Sequence, residues 1–297
     1  MVIGDLPGWP AAVESASRST EADVYAQALS DEWRRLVSGD AFHVEKVAQG
    51  FLERHPSLIP GSSGPTMRTG WTPWPAAVIR QPVLPGLAER QPDFMWIATD
   101  SAYLMPICIE IERPDKKWFR DDGNVQHSDL TSARSQVAAW RSWFMDPHNA
   151  AQFVHMYRVP RVMAERLLRP HFIVIHGRRS EFDSNPRVRR LRAGLTANLS
   201  DEVLMTFDAL GPDSNALRYG TVELTRDGVL RAVAAPATFD FPVVNPEFIS
   251  NVDGWDMAIR ASLDISGVRK RELLDILEAM QSRPSGMRFS VARRRTE

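Results

Sequence analysis

Residues 92–97 read PDFMWI and residues 107–114 read ICIEIERP. Aromatic and β-branched residues dominate both stretches, which predicts strands at 93–99 and 103–112. Only residues 100–102 separate the two strands, so we expect them to pair as an antiparallel hairpin.

A turn centred between Ser101 and Ala102 places Asp93 opposite Glu110 in this hairpin. Glu112 lies two residues beyond Glu110, so its side chain shares the same face of the strand. Alternating isoleucines occupy the other face, which we expect to be the core side. A register slip of one residue would move Asp93 away from the two glutamates. The sequence therefore predicts three carboxylates that meet at one edge of a sheet.

Carboxylates that face one another in an apolar sheet repel, and their pKa values rise until one of them is neutral. A divalent cation relieves this repulsion, and Mg²⁺ is commonly held by one or two carboxylates and water. Such an ion lowers the pKa of a bound water and neutralises charge on a phosphodiester. The alternative is structural: Glu110 and Glu112 line the solvent face of an edge strand and pair with Arg113, Lys116 or Lys117.

The surrounding pattern predicts a mixed α/β sheet flanked by helices. A helix between two strands favours a parallel pair with a right-handed crossover, added to the antiparallel hairpin. From hydrophobic periodicity, the predicted helices cover residues 21–38, 41–54, 128–144, 185–199 and 267–281. The further predicted strands cover residues 78–84, 171–176, 203–207, 219–224 and 228–235. In the first helix, the apolar side is assigned to Val24, Ala28, Trp33 and Leu36.

Three regions follow from this order of elements. Residues 1–40 form an N-terminal helical extension, and residues 41–215 form the central domain. Residues 216–297 form a C-terminal region, which is either a small subdomain or an extension of the same sheet.

Composition is that of an ordinary globular protein. The 297 residues carry a net charge of −1, with 43% hydrophobic and 25% charged residues. No run approaches the roughly 20 apolar residues of a membrane span, and we find no secretory signal or nucleotide-binding glycine loop. Cys108 is the single cysteine and lies in an apolar run, so we expect a buried thiol and no intrachain disulfide. These features predict a cytoplasmic protein that does not bind membranes.

Two arginine clusters are candidate nucleic-acid contacts, because a nearly neutral chain must bind a polyanion through local patches. The first cluster consists of Arg178, Arg179, Arg187, Arg189, Arg190 and Arg192, and the second of Arg293, Arg294 and Arg295. Trp71 and Trp74 could stack on bases. The plainer interpretation is a solvated helix face, a basic tail and packed tryptophans.

Six short segments in the same order make the chain resemble the Shedu anti-phage defence nucleases over residues 41–212. The segments are a helix followed by proline, an aspartate strand, a strand with E-x-K and a proline, a glutamine helix, a strand ending in Gly-Arg and a closing Thr-Tyr-Asp-x-Leu element. In this chain they match residues 51–59, 92–94, 109–114, 136–137, 169–178 and 205–210.

This resemblance implies a PD-(D/E)xK fold, the mixed sheet of restriction endonucleases, with DNA as substrate and Mg²⁺ or Mn²⁺ as cofactor. It also implies a role in defence against phage. By position, Asp93 and Glu110 would hold the metal, and Gln136 could orient a water or a phosphate. Gln136 could equally cap or pack at the edge of the apolar face of its helix.

One position departs from the family pattern, because Glu112 stands where the family has its catalytic lysine. That lysine would orient the attacking water and offset negative charge in the transition state. Glu112 could serve instead as a third metal ligand or as a general base. Alternatively, Lys116 or Lys117 reaches back from the next turn, or catalysis is weak or lost.

The leading hypothesis is therefore a metal-dependent DNA endonuclease whose site residues are Asp93, Glu110, Glu112 and Gln136. The second is a degenerate PD-(D/E)xK module that binds DNA or a phage component without cutting. The third, a carboxylate-pair glycan hydrolase, is disfavoured because Trp96 is the only obvious aromatic platform on these strands. We also expect a homo-oligomer, since a defence nuclease must be restrained until infection, and the sequence leaves the phage-derived trigger open.

Overall fold

The computed structural model describes residues 22–39, 42, 44–64, 72–87, 91–120, 125–183, 185–197, 199–241 and 251–281. Trp71 and the arginines at 293–295, which the sequence marked as candidate nucleic-acid contacts, lie outside the described residues.

The described chain contains both helices and strands. The helices are α1 (Ala22–Ser38), α2 (Glu45–Arg54), α3 (Ser128–Met145), α4 (Pro147–Met156), α5 (Arg161–Ala164), α6 (Ser180–Asp183), α7 (Pro186–Thr196), α8 (Trp255–Ala261) and α9 (Gly267–Gln281). The strands are β1 (Trp74–Arg80), β2 (Phe94–Thr99), β3 (Tyr103–Ile111), β4 (Leu167–Leu168), β5 (His171–Ile175), β6 (Glu202–Met205), β7 (Gly220–Leu224), β8 (Leu230–Ala234) and β9 (Val252–Asp253).

All nine strands belong to one mixed sheet in the order β6-β5-β3-β2-β1-β7-β8-β9, with β4 beside β3. Strands β1, β2 and β3 are antiparallel neighbours, whereas β3, β5 and β6 run parallel. This arrangement confirms the predicted hairpin with a parallel strand added after a helix. Strand β7 pairs in parallel with β1, and β7 and β8 form an antiparallel pair, so the strands after residue 216 extend the same sheet.

Helices cover both faces of the sheet and give three layers. On one face, Trp33 of α1 and Phe51 of α2 pack with Ile107 and Ile109 of β3. On the other face, α3, α4, α8 and α9 pack with apolar residues that include Cys108. The alternation in β3 therefore separates two buried faces, and the expectation that only the isoleucine face belongs to the core is wrong. A sheet covered on both sides requires apolar residues on both.

The buried face of α1 differs from the prediction. The buried residues are Tyr25, Leu29, Trp33 and Val37, one every four positions. Val24, by contrast, is 57% exposed. Tyr25 occupies the apolar face because its ring is buried while its hydroxyl lies 2.8 Å from Nδ1 of His55, so its polar group has a partner inside the core.

Strand β1 begins and ends four residues earlier than the predicted strand at 78–84. Its first residues include Pro75, and the pairing with β2 is irregular between Trp74 and Ile79. Proline weakens the sequence signal of a strand, and an irregular register hides the alternation. Helices α4 and α8 were likewise not among the predicted elements.

The remaining predicted elements agree with the structure within a few residues. Helix α2 ends at Arg54, where the predicted helix 41–54 also ends, and Pro56 opens a short 3-10 turn. The thiol of Cys108 is buried. In the part of the chain that the structure describes, no helix combines the length and apolar character needed to span a membrane.

Candidate functional site

The hairpin of β2 and β3 has the predicted register. Phe94 pairs with Ile109 and Met95 with Cys108, which puts Asp93 opposite Glu110. Asp93 is anchored at this end of the hairpin, because its Oδ2 accepts a hydrogen bond of 2.7 Å from the backbone N–H of Ile111. The two acids therefore lie side by side where β2 begins and β3 ends.

Glu110 is almost fully buried, with 7% of its surface exposed. Its Oε1 accepts a hydrogen bond of 2.6 Å from Nε2 of Gln136 on α3. Its Oε2 is also buried and has no hydrogen-bond partner among the described residues. A buried carboxylate oxygen without a partner is costly to desolvate, so this oxygen marks a place where a proton or a cation would be stabilised.

Gln136 is a half-buried residue of α3. It lies beside the buried face of the helix, which includes Ala133 and Val137. Its amide hydrogen-bonds to Glu110, a contact that was not predicted from the sequence. A side chain in this position can fix the orientation of a carboxylate that acts on a ligand.

Glu112 follows the last residue of β3, and its backbone N–H donates to the carbonyl of Ile175 over 2.9 Å. This bond continues the parallel pairing of β3 with β5, so Glu112 keeps the side-chain alternation of the strand. Its Oε2 accepts a bond of 2.6 Å from Nζ of Lys116, four residues later. The ammonium of Lys116 also lies 3.9 Å from Oδ1 of Asp129, at the start of α3.

The electrostatic environment of the two facing acids is strongly negative. Burial is the main cause that raises the pKa of Asp93 well above its ordinary value, and Glu45 and Glu112 add to it. Burial also raises the pKa of Glu110, with Asp93 and Glu112 as the next causes. The Ile111 N–H and the Gln136 amide act in the opposite direction but are too weak to cancel the increase. The site is therefore short of positive charge.

The carboxylate of Glu45, in the first turn of α2, is one contributor that the sequence did not reveal. It belongs to a different element, more than forty residues before Asp93 and Glu110, and an isolated acid at the start of a helix is common. Only the packing of α2 near this end of the hairpin brings its charge close to the site.

Hard oxygen ligands are the donors that Mg²⁺ and Mn²⁺ prefer, and the two facing carboxylates fit such an ion. The unpartnered Oε2 of Glu110 is the atom that supports this fit most directly. Among the described residues, no group of three or more His, Cys, Asp or Glu side chains is arranged so that it could hold a metal ion. An ion at this site would thus depend on Asp93 and Glu110 together with water, as is usual for Mg²⁺.

Several arginines of the first predicted cluster make structural contacts. Arg178 forms an ion pair with Asp208, with 2.9 Å between Nη2 and Oδ1, and also donates to the carbonyl of Val37. The guanidinium of Arg192 lies over the rings of Phe182 and Trp118. The contacts of Arg178 link the end of β5 to the segment after β6 and to α1, so this arginine has a structural role.

Trp74 and Trp96, which were considered as base and sugar platforms, are buried. Trp74 is fully buried, and its Nε1 donates to the carbonyl of Tyr157. Trp96 is fully buried on the face opposite the acids, where its Nε1 donates to Ile59. Neither ring is available to stack on a ligand.

Comparison with known proteins agrees with the resemblance read from the sequence. The family model described as Shedu protein SduA, C-terminal, matches residues 43–210. This span is more than half of the chain and contains α2, strands β1 to β6 and all four candidate site residues. No curated protein gives a significant match. The chain belongs to the Shedu SduA C-terminal family.

Proposed function

We propose that this chain is a metal-dependent deoxyribonuclease of the PD-(D/E)xK type that acts in anti-phage defence. The observation that carries the proposal is the pairing of Asp93 with Glu110 at one end of the hairpin, with the buried Oε2 of Glu110 left without a partner. Membership of the Shedu family supports the role in defence. The mixed sheet with these acids on adjacent strands is compatible with a PD-(D/E)xK core.

Charge supports a divalent ion at this position. Glu45, Glu53 and Glu112 add negative charge around the facing pair, and burial raises the pKa of Asp93 and of Glu110. A proton neutralises only one charge, whereas a divalent cation offsets two and is held by oxygen ligands. When bound, the ion would neutralise charge on a phosphodiester and lower the pKa of a nearby water.

The side chains have distinct roles in the proposed reaction. Asp93 and Glu110 hold the cation, and Gln136 keeps Glu110 oriented through Oε1. In hydrolysis, the oxygen of a water forms a bond to phosphorus, and the ester bond from phosphorus to one sugar oxygen breaks. The water gives up one proton to solvent, and the departing sugar oxygen takes up one proton from solvent.

A second candidate function is a module that binds DNA or a phage component without cutting it. The observation that favours it is the ion pair of Glu112 with Lys116, because both groups are then engaged with each other. In that case the acids would no longer support cleavage, while the surface that binds DNA or the phage component would be retained.

Conversion of supercoiled plasmid and linear DNA by the purified protein, with Mg²⁺, Mn²⁺ or EDTA, separates the two functions. We expect cation-dependent cutting by the wild type and its loss in Asp93→Asn and Glu110→Gln. Asp256→Asn, which alters an exposed carboxylate on α8, is the matched control and should cut normally. DNA binding without cutting under any divalent ion would favour the binding module. We also expect a homo-oligomer, and a monomer in light scattering at micromolar concentration would contradict that expectation.

A further inference from the structure

We propose that Lys116 supplies the positive charge that the family carries on its strand lysine, and that Glu112 is the positioning residue that holds it. This inference rests on the proposed nuclease function. It assigns a role to a residue outside the strand motif, and it explains how a chain with glutamate at position 112 could retain its chemistry.

The first support is the contact between the two side chains. Nζ of Lys116 lies 2.6 Å from Oε2 of Glu112, so the ammonium is held directly beside the position from which a strand lysine would extend. Glu112 is 8% exposed, and the side chain of Lys116 is only 22% exposed. A charge pair this far removed from solvent is better defined than an exposed one, whose contribution is usually small.

The second support is the conformation of the segment that carries the lysine. Residues 113–116 form a turn closed by the N–H of Lys116, which donates to the carbonyl of Arg113. Pro114 is the second residue of this turn, a position that suits its fixed φ. The turn reverses the chain directly after β3, and this reversal returns the side chain of residue 116 to Glu112.

The third support is a clamp on the backbone around Lys116, formed by the segment that follows β5. The carboxylate of Glu181 accepts from the N–H groups of Trp118 and Phe119, at 2.9 and 3.0 Å. The indole of Trp118 donates to the carbonyl of His176 over 2.7 Å. These contacts fix residues 116–119 against the end of β5, so the position of the ammonium does not depend on a loose loop.

Gly177 completes the clamp. Its φ is +62°, and a Cβ at this position would collide with the carbonyl oxygen of Lys116. The backbone at Gly177 thus approaches Lys116 more closely than any residue with a side chain would allow. The segment that ends in Gly-Arg therefore has a structural purpose at this site, which is to support the lysine turn.

Composition gives independent support. The chain contains 36 lysines and arginines, and only four of these are lysines: Lys46, Lys116, Lys117 and Lys270. Two of the four lie immediately after the acidic strand. An ammonium is a compact charge with freely rotating donors, whereas a guanidinium is broad and planar, so a preference for lysine here fits a crowded site beside a phosphate.

The first test measures cleavage by lysine variants. Lys116→Gln should reduce Mn²⁺-dependent cleavage by about 100-fold or more, the usual effect of losing one group that stabilises transition-state charge. Lys117→Gln is the matched control and should cut nearly as well as the wild type. The exchange Glu112→Lys with Lys116→Glu restores the ion pair with reversed polarity and should recover most of the activity lost in Lys116→Glu alone. Normal cleavage by Lys116→Gln, or an equal loss in Lys117→Gln, would overturn the inference.

The second test uses Mn²⁺ binding in calorimetry and needs no cleavage. If Lys116 engages Glu112 and neither binds the ion, Lys116→Gln should bind Mn²⁺ several-fold more tightly because a nearby positive charge is gone. Glu112→Gln should bind it only several-fold more weakly, because a nearby negative charge is gone. Glu110→Gln should lose binding. Equal weakening by Glu112→Gln and Glu110→Gln would identify Glu112 as a metal ligand and overturn the inference.

The two tests also separate the inference from the function on which it rests. A wild type that neither binds Mn²⁺ nor cuts DNA contradicts the proposed nuclease, and the role of Lys116 is rejected with it. A wild type that binds and cuts, with Lys116→Gln unaffected, contradicts the role of Lys116 alone.

Discussion

Nε2 of Gln136 donates a hydrogen bond of 2.6 Å to Oε1 of Glu110, while Oε2 of the same carboxylate is buried without a partner among the described residues. One oxygen is thus used to orient the acid, and the other is left for a ligand. This division makes Glu110 the centre of the candidate site.

Removal of the Gln136 amide should weaken the site without abolishing it. We expect Gln136→Ala to reduce Mn²⁺ affinity and DNA cleavage by about 10- to 100-fold, as is typical when the partner of a metal-binding side chain is lost. Calorimetry and plasmid cleavage measure the two effects. Gln27→Ala, at an exposed position of α1, is the control, and an equal effect of both variants would contradict a specific role for Gln136.

Removal of the divalent ion should affect stability in a way that depends on Glu110. A saturating ligand at about 100 times its Kd stabilises the folded state by about 2.7 kcal/mol, so Mn²⁺ should raise the Tm of the wild type. Glu110→Gln should show no such increase. In EDTA the variant should be at least as stable as the wild type, because an amide avoids the desolvation of a buried charge. An equal rise of Tm with Mn²⁺ in both proteins would argue against Glu110 as the ligand.

Gly177 should tolerate substitution less well than a glycine of similar conformation. Gly177→Ala should destabilise the protein by about 2–3 kcal/mol, from the positive φ and the collision with the Lys116 carbonyl, and should reduce cleavage. Gly228 has a φ of +72° with open space around it, so Gly228→Ala should cost only about 1 kcal/mol. Denaturant unfolding measures both, and equal losses would mean that the contact with Lys116 is unimportant.

The contact between α1 and the segment after α2 should make stability depend on pH. Burial lowers the pKa of His55 to about 4 from its ordinary 6.5, so the unfolded chain binds this proton more readily than the folded one. The stabilising effect of the neutral ring is therefore complete above pH 6.5 and is lost as the pH falls towards 4, by about 3 kcal/mol in total.

Variants isolate this dependence from that of the other titrating groups. His55→Asn keeps a polar group near Tyr25 but cannot gain the proton, so its unfolding free energy should fall less steeply between pH 6.5 and 4 than that of the wild type. His148→Asn, at an exposed position of α4, should retain the wild-type slope. Parallel curves for wild type and His55→Asn would show that the pKa of His55 is the same in the folded and unfolded states, and would contradict this prediction.

The hairpin and its acids could be predicted from the sequence because local chemistry determines the register. Oδ1 of Asp100 accepts from the N–H groups of Ala102 and Tyr103, at 2.8 and 2.7 Å. This turn fixes the residue at which the chain reverses and therefore the register of the two strands. Because side chains alternate between the two faces of a strand, Asp93 and Glu110 then lie on the same face.

The parts that could not be predicted depend on contacts between distant segments. The acidic contribution of Glu45 requires α2 to pack beside the hairpin, and the position of Lys116 requires Gly177 and Glu181 after β5. A lysine four residues after a strand has no periodic relation to that strand, so the sequence could offer it only as one of several options. The scarcity of lysine was the available signal.

The most direct test of the central claim is the rate of supercoiled plasmid conversion in Mn²⁺ by the wild type and Glu110→Gln, measured side by side with EDTA controls. If Glu110 holds the ion used to hydrolyse DNA, the wild type will cut only with Mn²⁺, and Glu110→Gln will be slower by about 1,000-fold or more, on the order of 4 kcal/mol of transition-state stabilisation. Cutting by both proteins at similar rates, or cutting by the wild type in EDTA, would contradict the claim.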